Sequence, residues 1–343
     1  MAELLNVLYV QTQGAFLRLQ HDTVTIDVEG ETKLRVPLLR LSGIVVFGRV
    51  MLTPYLIQRC AQDGCALVWM TGHGRFRGRL AGPTQGNVIL RRAQHRALSD
   101  RDHPWRIGRQ IVAAKIQNSR KQILRSRRDA SHACDRAPLA RAAERLAAVL
   151  YRLKDARDLN QIRGAEGEAA RAYFGVLNHM LRVDDQAFSF HKRTRRPPRD
   201  PTNAVLSFLY VLLCAECASA LEGVGLDPQV GYLHALRPGR PALALDLMEE
   251  LRAPLADRLT LTLINRRQLQ VEDFEEKEGG AVFLNDEGRR TLLIAYEDRK
   301  QAEVRHRVLQ RKIPFGLVPH VQAQLLARHL RGDLDHYPPF VYP

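Results

Sequence analysis

The chain has 343 residues, 45% of them hydrophobic and 26% charged, which is globular chemistry and excludes disordered and collagen-like classes. With 52 Lys and Arg against 37 Asp and Glu, the formal net charge is +15, so a polyanionic partner is expected, either nucleic acid or an anionic membrane surface. The membrane is the weaker option: the longest apolar run, Ala204 to Ala215, is interrupted by Ser207 and Tyr210 and falls short of the ~20 residues that span a bilayer.

The chain starts Met-Ala-Glu-Leu-Leu-Asn, without the basic region of a secretory signal. Its five cysteines are few and odd in number, so no disulfide framework is expected and a reducing cytoplasm fits. The first eighty residues read as β. Val7 to Val10, Ala15 to Leu19, Thr23 to Val28, Lys33 to Val36 and Ser42 to Phe47 are short, partly alternating runs with turn residues between them, the pattern of a small antiparallel sheet or sandwich. A short helix is expected at Pro54 to Gln62, then strands at Ala66 to Met70 and Phe76 to Leu80.

Gly82-Pro-Thr-Gln-Gly86 punctuates the chain, and beyond it helical spacing replaces period two. Helices are expected at about 88–99, 104–128, 137–152, 165–181, 201–222, 242–252, 256–264, 286–310 and 318–330, with a strand pair near Gln268 to Phe283 around Gly279-Gly280. Asp335 to Pro343, with three prolines, reads as an extended tail. The expected organisation is therefore α+β: a β-sandwich-like domain over 1–82, a linker at 83–87, an all-α domain over 88–330 and a tail over 331–343.

Charge is concentrated. Arg91 to Arg145 holds 15 Lys and Arg against 5 Asp and Glu, a net +10, and His191 to Arg199 holds five basic residues and no acid. Single basic runs are ordinary solvated faces. Two clusters in so basic a chain point to a phosphate backbone, whose affinity comes from releasing counterions. Lys192, Arg193, Arg195 and Arg196 are the candidate DNA contacts, in a stretch that Pro197-Pro198 keeps extended.

Three places carry candidate chemistry. Glu166, between Gly164 and Gly167, is placed in the first turn of a helix, where an acid also complements the dipole. His234 follows Gly231-Tyr-Leu, and a lone His after an apolar stretch is also compatible with a purely structural role. Asp246 and Glu249, at i and i+3, share one face of a markedly apolar helix with Glu250 nearby, and inward carboxylates are commonly held by a cation. Two carboxylates and an imidazole suit Mg²⁺ or Mn²⁺ acting on a phosphodiester. Cys214-x-x-Cys217 has no second pair at zinc spacing and reads as structural.

Taken in order, Gly164-x-Glu166-Gly167, then Arg193-x-Arg195-Arg196-Pro197-Pro198-x-Asp200-Pro201-x-Asn203-Ala204-x-Leu206-Ser207-Phe208-x-Tyr210, then Gly231-x-x-His234, then Asp246-Leu-Met-Glu249-Glu250-x-Arg252 resemble the CRISPR-associated endonuclease/integrase of spacer acquisition, and the Pro-Pro-Phe340 tail resembles its type I-C branch. The resemblance covers nearly the whole chain. It implies metal ligands at Glu166, His234 and Glu249, with a nearby acidic role for Asp246. It further implies a homodimer that joins a small second adaptation protein and integrates double-stranded DNA into the CRISPR repeat by 3′-hydroxyl transesterification. The alternative reading is a non-catalytic nucleic-acid scaffold, which explains the charge but not the acids beside His234; a hydrolase of small phosphorylated molecules explains the acids but not the +10 segment.

Overall fold

A computed structural model describes residues 6–80, 82, 88–130, 132–183 and 185–343; the expected linker at 83–87 lies outside the described residues. Strands β1 (Asn6–Val10), β5 (Leu41–Phe47), β7 (Ala66–Met70) and β8 (Phe76–Arg79) form one sheet in the order β1-β5-β7-β8. Strands β4 (Glu31–Pro37), β3 (Thr23–Val28), β2 (Phe16–Gln20) and β6 (Met51–Leu52) form a second, in the order β4-β3-β2-β6. Pairing is antiparallel through β2, β3 and β4, as their alternation implies. It is parallel between β1, β5 and β7, which corrects the purely antiparallel expectation. Between β5 and β7 the crossover is α1 (Pro54–Asp63), capped by the Thr53 hydroxyl, and between β1 and β5 it runs through β2, β3 and β4; each brings the chain back in the same direction.

Strand β5 explains how these sheets meet the rest of the molecule. Its run Ile44-Val-Val-Phe47 is apolar on both faces. Ile44 and Val46 join Leu17, Val24, Ile26 and Leu56 between the two sheets, whereas Val45 and Phe47 face the helices. A strand covered on both sides needs no polar alternation. Phe47 stacks on Phe208 with ring centroids 6.0 Å apart, so one core runs from the sheet into the helices.

The helices are α2 (Val88–Ser99), α3 (His103–Arg128), α4 (Ala133–Leu153), α5 (Leu159–Phe174), α6 (Pro201–Gly223), α7 (Ala242–Glu249), α8 (Arg258–Asn265), α9 (Asp286–Gln301) and α10 (Val318–Arg331). Several boundaries differ from the sequence reading, among them the start of α4 at Ala133 rather than 137 and the end of α5 at Phe174 rather than 181. Helix α5 begins at Leu159, not near 165, because Asp158 accepts hydrogen bonds from the backbone of Asn160 and Gln161 as its N-cap. Helix α7 ends at Glu249, and Arg252–Asp257 is a π-helical turn. Helix α9 stops at Gln301 rather than 310: Val304 and His306 are buried and alternate with exposed Glu303 and Arg305, and this period of two makes the hairpin β11 (Glu303–His306) and β12 (Arg311–Pro314). With the expected hairpin β9 (Phe274–Lys277) and β10 (Ala281–Leu284), turning at Gly279 and Gly280, the larger part of the chain is helical with two hairpins, not all-α.

Helix α6, 23 residues long, is apolar enough by length and composition to cross a membrane, which the broken run Ala204 to Ala215 concealed. Here it is the central core helix, with Val205, Leu209, Leu213, Cys217 and Leu221 fully buried. All five cysteines are free. After Arg331 the chain has no further helix or strand, as expected of a Pro-rich tail, yet Tyr337 and Phe340 are buried in the main core.

Candidate active site

Four elements converge on one place: α3, α5, the loop between α6 and α7, and the end of α7. Glu166 lies two turns inside α5, so its expected position in a first turn, and with it the dipole explanation, is corrected. Its neighbour Glu168 pairs instead with Arg152 at 2.8 Å. Glu166 is 30% exposed and pairs with Lys115 of α3, which also lies 2.7 Å from Glu249 Oε2.

His234 is placed by its loop. Asp246, fully buried on α7, accepts backbone hydrogen bonds from Tyr232 (2.6 Å), Leu233 (3.0 Å) and His234 (3.0 Å), and the His234 imidazole Nδ1 sits 2.6 Å from Asp246 Oδ1. A carboxylate on Nδ1 fixes the tautomer and directs Nε2 outward. Nε2 then lies 3.8 Å from Glu249 Oε1. From the other side, Arg163, one turn before Glu166, clamps the Leu233 carbonyl with two hydrogen bonds of 2.9 and 2.7 Å. Gly231 is required here: a Cβ would meet the Ala242 backbone at 2.7 Å.

Glu249 is 3% exposed. Burial alone would raise its carboxyl, but Arg252 (3.1 Å), Lys115 and His234 override that and hold it down at about 2. Oε2 of Glu249 is buried and accepts no well-aligned hydrogen bond, even with Lys115 close. Glu250 points the opposite way, into the core, and burial pushes its carboxyl up to about 8. Arg252 also lies over the Tyr210 ring at 4.8 Å, and Arg193 covers the same ring at 5.3 Å. The Tyr210 hydroxyl donates to Asp257 at 2.6 Å, which fixes this stack beneath the site.

The structure thus brings Glu166 and Glu249 onto one lysine and sets His234 against Glu249. Asp246 stands behind His234, not beside the other acids. Among the described residues, no three acid, His or Cys side chains are grouped so as to hold a metal ion as they stand. Two carboxylates and a directed imidazole nitrogen are nonetheless the hard O and N donors that suit a divalent cation. Sequence reasoning missed Lys115, whose only signal was its place in a basic helix, and the pairing of Arg252 with Glu249.

Of the basic cluster, Lys192, Arg195 and Arg196 are exposed. Arg193 is turned inward and donates to Asn203 Oδ1 at 2.6 Å and to Ser207 Oγ at 3.1 Å. Part of the +10 segment lines a cleft of about 800 Å³ with Lys121, Arg125, Arg127, Arg128 and Arg136, closed on one side by Arg258 and Tyr342.

The family model of CRISPR associated protein Cas1 matches residues 8–298. The chain belongs to the Cas1 family. It is 57% identical over 339 residues to CRISPR-associated endonuclease Cas1 1 of Moorella thermoacetica, covering 99% of both chains. Among solved structures its fold is similar to a casposase bound to integration product, with a TM-score of 0.83 at 22% identity over 99% of this chain and 95% of that one. It is equally similar to a Cas6-RT-Cas1–Cas2 complex chain, with a TM-score of 0.83 at 22% identity over 98% of this chain and 36% of that larger one.

Proposed function

We propose that this Cas1 family protein is a divalent-metal-dependent DNA endonuclease and integrase that inserts DNA fragments into a CRISPR array by 3′-hydroxyl transesterification. The observation that carries the reading is the convergence of Glu166, Glu249 and the Asp246-oriented His234 around Lys115, on the helix that also carries Lys121, Arg125, Arg127 and Arg128. A Mg²⁺ or Mn²⁺ ion held by Glu166, Glu249 and His234 Nε2 would supply Lewis-acid polarisation of the scissile phosphodiester. The chain's own residues do the rest. Asp246 and Arg163 hold the His234 loop in place, and Arg252 and Lys115 keep Glu249 ionised. Positive charge from Lys115 and Arg252 also favours the charge that develops on a pentavalent phosphorus.

Exposed Lys192, Arg195 and Arg196, together with the α3–α4 cleft, are the proposed path of the double-stranded DNA backbone. The division into a β domain (1–82), a linker, a catalytic domain (88–330) and a tail belongs to the same proposal. So does a homodimer formed through the β-rich part, which carries exposed Leu34, Leu39, Met51 and Tyr55. A small second adaptation protein of the Cas2 kind, the partner named in the larger complex of the structural relative, completes the assembly, working in the cytoplasm.

The test is nuclease and disintegration activity on a branched DNA in Mn²⁺. Glu166→Gln and His234→Ala are expected to lose at least a hundredfold in rate while duplex affinity stays within twofold, because the basic surface supplies binding. Full activity in either folded variant would sink the metal assignment and favour the non-catalytic scaffold.

A further inference from the structure

The segment that follows α10 is neither helical nor free. Tyr337 is 1% exposed and Phe340 2%. Their polar atoms converge on Glu250, the residue after Glu249. Its carboxyl oxygens accept from the Tyr337 hydroxyl at 2.6 Å, the Phe340 backbone N–H at 2.5 Å and Gln322 Nε2 at 3.0 Å. Asn118 closes a second set of bonds. Its Nδ2 donates to the carbonyls of Glu250 (2.7 Å) and Phe340 (2.9 Å), and its Oδ1 accepts from the Tyr342 N–H at 2.8 Å. The Tyr342 ring stacks on Phe315, and its hydroxyl accepts from Arg258 at 2.9 Å.

Two features tie this arrangement to the site. Helix α7 has only eight residues and stops at Glu249, so its C-terminal end is held by contacts with other elements more than by its own hydrogen bonds. Asn118 lies one turn beyond Lys115 on α3, and Lys115 is the residue that touches both Glu166 and Glu249. The same stretch of chain therefore grips the α7 terminus and the α3 face that together frame Glu249.

We propose that residues 337–342 form a strap that sets the position of Glu249, with Tyr337 and Asn118 as positioning residues. This rests on the reading of Glu249 as a carboxylate of the metal site. The strap acts through Glu250 and the α7 end: the Tyr337 hydroxyl and the Asn118 amide fix Glu250 at both its side chain and its carbonyl, and Glu249 follows as the adjoining residue. Groups hydrogen-bonded to a metal ligand commonly change metal affinity ten- to hundredfold when removed, and the strap, one residue further back, belongs at the lower end of that range.

The experiment uses the full-length protein with Tyr337→Phe, which deletes one hydroxyl, and Asn118→Ala, with Glu249→Gln as reference. Mn²⁺ binding is measured by titration calorimetry, and the Mn²⁺ dependence of cleavage on branched DNA is measured alongside. Both strap variants are expected to bind Mn²⁺ about tenfold more weakly and to recover most of their cleavage rate at high Mn²⁺, and Tyr337→Phe is expected to keep wild-type DNA affinity. Glu249→Gln should not recover. Should Asn118→Ala fail to fold, Tyr337→Phe, checked by its melting in EDTA, decides alone. Wild-type Mn²⁺ affinity and wild-type Mn²⁺ dependence in folded Tyr337→Phe would overturn the strap. Unaltered Mn²⁺ binding in Glu249→Gln would instead overturn the metal reading, and the strap with it.

Discussion

Asp246 separates what an acidic residue does from where it stands in the chain. Its i, i+3 spacing pairs it with Glu249 on one helix face, but its oxygens are taken by three backbone N–H groups and the His234 imidazole. Asp246→Asn keeps the size and loses one acceptor oxygen and the charge. A buried donor left without a partner costs about 2 kcal/mol, so urea unfolding should register a loss of that order together with reduced Mn²⁺-dependent cleavage. Wild-type stability would mean the loop is held by other contacts. Arg193 makes the complementary point among the basic residues. Because it bonds Asn203 and Ser207 and covers Tyr210, Arg193→Gln should lower stability more than it lowers the salt sensitivity of DNA binding. Neutralising Lys192, Arg195 and Arg196 together should flatten log K against log salt by roughly two to three units, at about 0.9 per duplex phosphate contact. An unchanged slope, read by fluorescence anisotropy at several salt concentrations, would place the DNA elsewhere. Nothing in His191 to Arg199 marks which arginine turns inward, since the acceptors that draw it in lie on α6.

Between elements, the join of sheet and helices depends on a charged cluster as well as on Phe47 and Phe208. Lys300 of α9, nearly buried, sits 2.7 Å from Glu216 of α6 and 2.9 Å from Glu297, and Glu297 in turn accepts from the Tyr9 hydroxyl of β1. Burial would lower the Lys300 ammonium, but the two carboxylates outweigh it and raise it. Removing one partner of such a set leaves uncompensated charge, so Lys300→Met should cost about 3 kcal/mol in chemical denaturation. A loss under 1 kcal/mol would show that the cluster is not what joins the parts. The hairpin β11–β12 carries a pH effect. Burial lowers the His306 pKa, with Nε2 3.0 Å from Gln322 Oε1 and Nδ1 facing the Leu309 N–H. The unfolded chain binds its proton at about 6.5 and the folded protein only below that. Stability from this group is therefore complete above pH 6.5 and is lost as pH falls through 6.5 toward the lower folded value. His306→Gln should remove that part of the slope between about pH 7 and 5 in paired denaturation curves. An identical slope in the variant would assign the effect to other groups.

For the whole molecule, the sequence alone determined the broad division of β-rich start and helical remainder, the apolar core helix α6 and the concentration of basic charge, and it singled out Glu166, His234 and Glu249 as the candidate metal ligands. These were legible because they reside in local signals: period two against helical spacing, a run of like charges, and short motifs in a fixed order. The parallel pairing of β1, β5 and β7 was not, because Ile44-Val-Val-Phe47 is apolar on both faces and period alone does not say which strand lies beside it. Nor was the second hairpin, where four-residue strands are shorter than a reliable window. At the site, only the tertiary structure decided that Lys115, 51 residues before Glu166, stands between the two carboxylates, that Asp246 serves His234, and that Glu249 and Glu250, adjacent in sequence, face a charged site and a buried strap. The physical reason is that a buried charge must find its partners wherever packing puts them, and those partners come from helices whose separation in sequence carries no record of their contact.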